Sequence, residues 1–117
     1  MSIKQLFAKK WAKRVVNSTN KWAQNPIATQ EKVLKMLLQK AKKTAFGQDH
    51  GFAQIENYED FAKQVPIRDY EGLRPYVDRV VAGEADILWP GKPRYFSKTS
   101  GTTSGVKYIP ISKESMA

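Results

Sequence analysis

Residues 98–110, KTSGTTSGVKYIP, decide how the rest of the chain is interpreted. Five of these thirteen residues are Ser or Thr, two are Gly, and Lys107 follows the second Gly after one residue. Glycine allows the backbone to turn tightly and to approach a ligand closely, and small hydroxyl groups add hydrogen-bond donors with little bulk. Successive backbone N–H groups in such a turn can point inward and bind an anion. The stretch therefore predicts either a loop that binds a polyphosphate or a flexible surface turn.

Short apolar segments flank this loop. Residues 94–97 and 107–111 have the composition of two β-strands, and Pro110 limits the second. A Walker A loop would instead place Gly-Lys-Ser or Gly-Lys-Thr at the start of a helix. We therefore expect a β-hairpin whose turn, residues 99–105, would hold the phosphates.

Two helices are predicted in the first part of the chain. Apolar residues recur on one side of residues 1–27, Lys and Arg occupy the rest, and Pro26 ends this basic amphipathic helix. A second helix is expected to be capped by Thr29 and to end at Gly47.

Two further helices are predicted before the hairpin. The first begins at Asn57 and stops before Pro66, and the second is capped by Asp69 and closes at Gly83. Pro75 is expected near the beginning of that second helix, where a missing N–H costs little.

The composition is that of a single globular domain. The chain has 117 residues, a size that fits one domain, and it contains no Cys, which excludes a disulfide framework and a Cys-based zinc site. Lys residues interrupt the N-terminal apolar stretch, so no signal peptide is predicted. A soluble protein in a reducing compartment is expected, with the cytoplasm as the default.

The net charge of +9 is concentrated at the N-terminus. Residues 1–43 contain eleven Lys or Arg and one acid, whereas residues 44–117 contain nine Lys or Arg and ten acids. A basic helix with interleaved Trp suggests an alternative function, a helical module that binds nucleic acid or an anionic membrane surface. Its charges surround the helix loosely and no base-reading motif accompanies them. We therefore favour a solvated outer face, with no nucleic-acid partner and no membrane partner.

The single His and the three Trp are predicted to serve packing. His50 lies between two predicted helices without a partner suited to acid–base catalysis. The Trp residues are Trp11, Trp22 and Trp89.

The loop resembles a known phosphate-binding motif. Ser/Thr-Ser-Gly-Thr-Thr-x-Gly followed by Lys is similar to the phosphate loop of the adenylate-forming enzymes, the superfamily of acyl-CoA synthetases and luciferases. The form TSGTTSGVKYIP resembles the Gretchen Hagen branch, the auxin-responsive acyl-acid amido synthetases. Upstream stretches agree with that family in order and spacing; they are TAFGQDHGF (44–52), FAKQVPIRDYEGLRPYV (61–77) and GEADILWPG (83–91). The resemblance covers roughly residues 30–117.

This resemblance implies a function, a ligand and a set of site residues. Members of the family activate a small-molecule carboxylic acid with ATP and magnesium, and then transfer the acyl group to an amino acid. By resemblance, the residues that bind the ATP phosphates are Thr99, Ser100, Gly101, Thr102, Thr103, Ser104 and Gly105, with Lys107 to offset their charge. Lys98 is a second candidate for that charge. No residue is identified as catalytic, and none as a metal ligand.

The resemblance also implies that the chain is the N-terminal fragment of a larger α/β adenylate-forming domain. We divide the chain, an α+β fold, into a basic amphipathic helix (residues 1–27), a helical region (28–86) and strands with the phosphate loop (87–117). Alone, this fragment is expected to be inactive, because the family's other motifs would lie beyond it, and to self-associate through uncovered apolar residues.

Overall fold

The structure, a computed structural model, describes residues 1–99 and 105–116. In this part of the chain, five α-helices precede a two-stranded antiparallel sheet; the elements are α1 (Ile3–Ala23), α2 (Pro26–Ala41), α3 (Ala45–Asp49), α4 (Tyr58–Gln64), α5 (Tyr70–Val81), β1 (Tyr95–Lys98) and β2 (Tyr108–Ile111). Short 3-10 helices occupy Phe52–Gln54 and Glu114–Met116. The prediction of a mainly helical chain followed by a β-hairpin is confirmed.

The chain forms two compact units, Met1–Val33 and Leu34–Ala117, and the division falls within α2. In the first unit, α1 begins with a capping box: the Ser2 hydroxyl accepts from the Gln5 N–H at 3.3 Å, and the Gln5 side chain accepts from the Ser2 N–H at 2.9 Å. The box satisfies two N–H groups that a helix start leaves free. No residue of this unit is buried. Its large apolar side chains are therefore exposed, among them Ile3, Phe7, Trp11 and Trp22.

The predicted boundaries of the second helix are wrong at both ends. Helix α2 begins at Pro26 and not after Thr29, because proline's fixed φ suits the first helical position and its missing N–H is not needed there. The Asn25 carbonyl accepts the first intrahelical bond, from the Thr29 N–H at 3.0 Å. The helix ends at Ala41 instead of continuing to Gly47.

A separate short helix, α3, takes up the residues around Gly47. It begins because Thr44, a fully buried side chain, accepts from the Gly47 N–H at 3.0 Å and donates to the Ala41 carbonyl at 2.7 Å. A β-carbon at Gly47 would stand 2.1 Å from the Ala41 carbonyl oxygen, a distance that no side chain could occupy. The glycine is therefore needed for close approach of two helices, and it does not terminate α2.

The predicted starts of α4 and α5 are confirmed. The Asn57 side chain accepts from the Asp60 N–H at 2.9 Å, and the Asp69 carboxylate accepts from the Gly72 N–H at 3.0 Å. Pro75, however, is the sixth residue of α5 and lies inside the helix. Its missing N–H therefore removes a regular backbone hydrogen bond, which corrects the expectation that it sits where the loss costs little.

The core of the second unit lies between these helices and the segment that follows α5. Backbone bonds join the start of α3 to that segment, with the Ala45 N–H donating to Asp86 at 2.8 Å and the Phe46 N–H donating to Ile87 at 2.9 Å. Burial of apolar side chains here is the main stabilising contribution. The buried hydrophobic residues are Leu38, Ala41, Ile55, Val77, Val80 and Ile87.

The hairpin pairs β1 and β2 in a fixed antiparallel register, from Tyr95 opposite Ile111 to Lys98 opposite Tyr108. Each strand begins one residue later than predicted, and the second ends at Ile111 as predicted. Tyr95 is 58% exposed and Ile109 is 50% exposed, so the sheet leaves apolar side chains uncovered. In the described residues no third strand pairs with it.

These exposed residues and open strand edges predict that the 117-residue chain self-associates when produced alone. We expect oligomers in light scattering at high concentration. The Ile109→Lys variant should shift the chain towards monomer, whereas Ile67→Lys, a change at a fully exposed residue outside the hairpin, should not. A monomeric unmodified chain at the highest soluble concentration would contradict the prediction.

Candidate functional site

Thr99, the first residue of the predicted phosphate loop, is hydrogen-bonded to Lys107, which follows the loop. The Thr99 N–H donates to the Lys107 carbonyl at 3.0 Å, and the Lys107 N–H donates to the Thr99 hydroxyl at 3.2 Å. This pair continues the ladder of the hairpin by one step beyond Lys98 and Tyr108. The side chain of Thr99 thereby binds the second arm of the loop, by which we mean residues 105–107, which lead from the loop into β2.

Gly105 lies in the left-handed backbone region, with φ of 80°. In the described surroundings, a β-carbon at this position would meet no atom within 4 Å. The requirement for glycine therefore comes from the backbone conformation and not from crowding. Ser100, Gly101, Thr102, Thr103 and Ser104, which we also predict to contact phosphate, lie outside the described residues.

Two cationic side chains, those of Lys107 and Arg74, lie close to the ring of Tyr70. The ammonium group of Lys107 lies 5.8 Å from the ring centre of Tyr70, and the Arg74 guanidinium lies 5.1 Å from the same ring. Both distances allow a cation–π interaction. Lys98, the second candidate cation, is exposed on β1, opposite Tyr108.

An ion pair neutralises one of these cations. Glu71 accepts two hydrogen bonds from Arg74, at 2.8 and 2.7 Å. The hydrogen-bonded Arg74 guanidinium holds the pKa of Glu71 below its ordinary value, and the charge of Lys107 adds a smaller effect in the same direction. Among the described residues, Lys107 forms no ion pair with a carboxylate.

Sequence reasoning missed Tyr70, the first residue of α5. Its hydroxyl accepts from the Tyr108 N–H at 2.8 Å and donates to the Tyr108 carbonyl at 3.1 Å. Tyr70, Glu71 and Arg74 belong to residues 61–77, one of the stretches that carry the family resemblance. That membership was the available signal, but it did not indicate which residues contact the hairpin.

The residues predicted to serve packing have different surroundings. His50 is buried, stacks on Phe46 at a ring distance of 4.0 Å and shares a 2.7 Å hydrogen bond with the Phe46 carbonyl. Trp89 is partly buried and lines a cleft of about 180 Å³ beside α5. Trp11 and Trp22, by contrast, are 70% and 53% exposed.

The described residues contain no cluster of acidic or His side chains that could hold a metal ion. Helices long and apolar enough to span a membrane are also absent from that part of the chain.

Residues 15–117 match the GH3 family N-terminal domain. The chain belongs to the GH3 family. It is 33% identical over 89 residues to the indole-3-acetic acid-amido synthetase GH3.15 of Arabidopsis thaliana, and 34% identical over 89 residues to the jasmonoyl–L-amino acid synthetase JAR6 of Nicotiana attenuata. Each of these alignments covers 74% of this chain and 15% of the relative. The resemblance inferred from the loop motif is thus confirmed.

A third relative has a higher sequence identity to this chain, over a shorter alignment. Over 48 residues the chain is 44% identical to the 4-substituted benzoates-glutamate ligase GH3.12 of Arabidopsis thaliana, which covers 40% of this chain and 8% of that protein. All three relatives are named as enzymes that join a carboxylic acid to an amino acid or form its amide. The chain therefore corresponds to a small part of the length of such enzymes.

Proposed function

We propose that this chain is the phosphate-binding part of an ATP-dependent acyl-acid amido synthetase of the cytoplasm. The full-length enzyme would activate a carboxylic acid as its acyl-adenylate and transfer the acyl group to an amino acid. Membership of the GH3 family and the names of the three relatives support this proposal.

The observation that carries the proposal is the arrangement at the loop base. Thr99 and Lys107 are hydrogen-bonded at the base of the loop, Gly105 has a left-handed backbone conformation, and among the described residues Lys107 forms no ion pair with a carboxylate. A glycine-containing loop with a nearby cation is suited to a polyphosphate, because backbone N–H groups and one charged side chain can share its negative charge.

In the proposed first step, an ionised carboxylate of the acid attacks the α-phosphorus of ATP and pyrophosphate leaves. An already ionised nucleophile needs no general base, so the protein's contribution is to position the reactants and to stabilise the charge that builds up on the leaving group. Lys107 and the loop would hold the β- and γ-phosphates in this step. Magnesium would enter bound to ATP and offset part of its charge.

The proposal predicts which products the full-length protein forms. With ATP, magnesium, a carboxylic acid and an amino acid, we expect AMP and pyrophosphate together with an amide detectable by mass spectrometry. Omission of the carboxylic acid should abolish the release of pyrophosphate. Formation of ADP and phosphate would contradict adenylation. Cleavage of ATP at a rate that no carboxylic acid in a broad panel of acids changes would also contradict it.

A second candidate function rests on the exposed apolar side of α1. Phe7 and Trp11 are each 70% exposed, and Lys and Arg residues without any acid surround them on the same helix. Aromatic side chains beside Lys suit the surface of an anionic membrane better than a nucleic-acid groove. Sedimentation of the protein with vesicles containing phosphatidylglycerol decides the matter: binding that is lost at high salt favours this function, and no binding at low salt excludes it.

A further inference from the structure

The hydroxyl group of Tyr70 contacts both backbone polar groups of Tyr108. It accepts the N–H at 2.8 Å and donates to the carbonyl at 3.1 Å, across 38 positions of the sequence. A tyrosine hydroxyl has one proton to donate and lone pairs to accept, so a single group serves both partners. The contact joins the first residue of α5 to the first residue of β2.

The register of the hairpin explains why these backbone groups are free to bind a side chain. The Thr99 N–H donates to the Lys107 carbonyl in the ladder, so Thr99 and Lys107 form a hydrogen-bonded pair, and the neighbouring pair, Lys98 and Tyr108, is one that does not exchange backbone bonds. The N–H and carbonyl of Tyr108 therefore face away from β1, along the outer edge of β2. There the Tyr70 hydroxyl takes the place of a neighbouring strand.

The same side chain also contacts the cation of the loop. The Tyr70 ring lies 5.8 Å from the Lys107 ammonium, and Lys107 directly precedes the residue that the hydroxyl holds. Tyr70 itself is held in place from two sides. Asp69 caps the helix that Tyr70 begins, and the Arg74 guanidinium lies 5.1 Å from the centre of the Tyr70 ring. One side chain thus restrains both the backbone and the charged group at the second arm of the loop.

We propose that Tyr70 is the positioning residue of the phosphate loop: it fixes the second arm at Tyr108 and thereby places the Lys107 ammonium for the ATP phosphates. This role rests on the proposed function. The first arm of the loop continues directly from β1. In the part of the chain that the structure describes, no strand pairs with the outer edge of β2, which the second arm enters. Without the Tyr70 hydroxyl, the second arm would keep its bond to Thr99 and lose its anchor to α5.

The test is the Tyr70→Phe variant of the full-length protein, which keeps the ring and removes only the hydroxyl. We expect the KM for ATP in acid-dependent pyrophosphate exchange to rise about tenfold. Transfer of the acyl group from a supplied acyl-adenylate to the amino acid should stay unchanged, because that step no longer needs the β- and γ-phosphates. Hydrogen exchange at the Tyr108 amide should become faster.

Tyr76→Phe is the matched control. Tyr76 lies on the same helix, and its hydroxyl donates to Asp49 at 2.6 Å, so this substitution removes one hydrogen bond from α5 to another element, whereas Tyr70→Phe removes two. We expect a comparable loss of thermal stability, an unchanged KM for ATP and unchanged exchange at Tyr108. The pair separates positioning of the loop from general support of the helix.

Two results would overturn the positioning role. If the unmodified protein exchanges pyrophosphate and Tyr70→Phe leaves its KM for ATP unchanged, the contact does not position the loop. Equal losses of both half-reactions, matching those of Tyr76→Phe, would show that the hydroxyl only stabilises the fold. Absence of exchange in the unmodified protein is a different outcome, since it overturns the proposed function and, with it, this role.

Discussion

Replacing Gly105 with Val in the full-length protein is expected to lower acid-dependent pyrophosphate exchange about 100-fold. At a φ of 80°, a β-branched side chain strains the backbone by about 1–3 kcal/mol, and the loop relieves this strain by leaving its conformation. A shift of about 1 Å in a group that positions the reactants can cost about 100-fold in rate. The described surroundings contain no atom within 4 Å of the new β-carbon, so the loss would come from the backbone and not from a clash.

Gly91→Val is the matched control for this prediction. Gly91 has a φ of 79°, and a β-carbon there also meets no atom within 4 Å of the described structure. Its N–H donates to the Asp86 carboxylate in a turn outside the hairpin. We expect both variants to lose similar thermal stability, and only Gly105→Val to lose exchange. If both lose exchange equally, the loop has no special part in the reaction.

Lys107→Ala is expected to reduce kcat/KM for ATP in the same exchange reaction by about 10- to 100-fold. A hydrogen bond that involves a charged group contributes about 1.5–3 kcal/mol, and each 1.4 kcal/mol corresponds to about a factor of ten. The fold should be little affected, because the contacts that Lys107 makes with Thr99 use its backbone.

Lys98→Ala distinguishes the two candidate cations. Lys98 is exposed on β1, whereas the ammonium of Lys107 is held beside the Tyr70 ring, so we expect the Lys98 variant to change kcat/KM by less than about threefold. Reversal of this order, with Lys98 the more damaging change, would assign the phosphate charge to the first arm of the loop.

Features of the fold that depend on neighbouring residues could be predicted from the sequence. Asn57 and Asp69 were identified as helix caps because a cap bonds to an N–H only three residues away. The hairpin was predicted for a similar reason, since two apolar segments flank a loop rich in glycine and hydroxyl residues.

The second helix shows where such local signals conflict. Both Pro26 and Thr29 are suited to a helix start, and the helix begins at Pro26, because proline has a helical φ and no N–H of its own to leave unbonded there. The role of Gly47 depends on the Ala41 carbonyl, which stands 2.1 Å from where a β-carbon would lie. The sequence contains a glycine at that point, but the close approach that requires it becomes visible only when the two helices are placed.

The loop of the candidate site could be located from the sequence, but its structural supports could not. Residue types left open a phosphate loop or a flexible surface turn, and the resemblance to the family led us to predict that Gly105 and Lys107 bind phosphate. The contact of Tyr70 with Tyr108 joins two segments far apart in the chain, and neither periodicity nor spacing reports such a pairing. The ion pair of Glu71 with Arg74, by contrast, lies at a spacing of three residues on one helix and could have been expected from the sequence.

The most direct measurement of the central claim, that this loop holds the β- and γ-phosphates, compares the affinities for ATP and for AMP. Both nucleotides share the adenosine and the α-phosphate, so a difference between them reports the two outer phosphates alone. Titration calorimetry of the full-length protein should show that Gly105→Val and Lys107→Ala weaken ATP binding by at least about tenfold and leave AMP binding unchanged. Equal weakening of both nucleotides, or no change in ATP affinity, would contradict the claim.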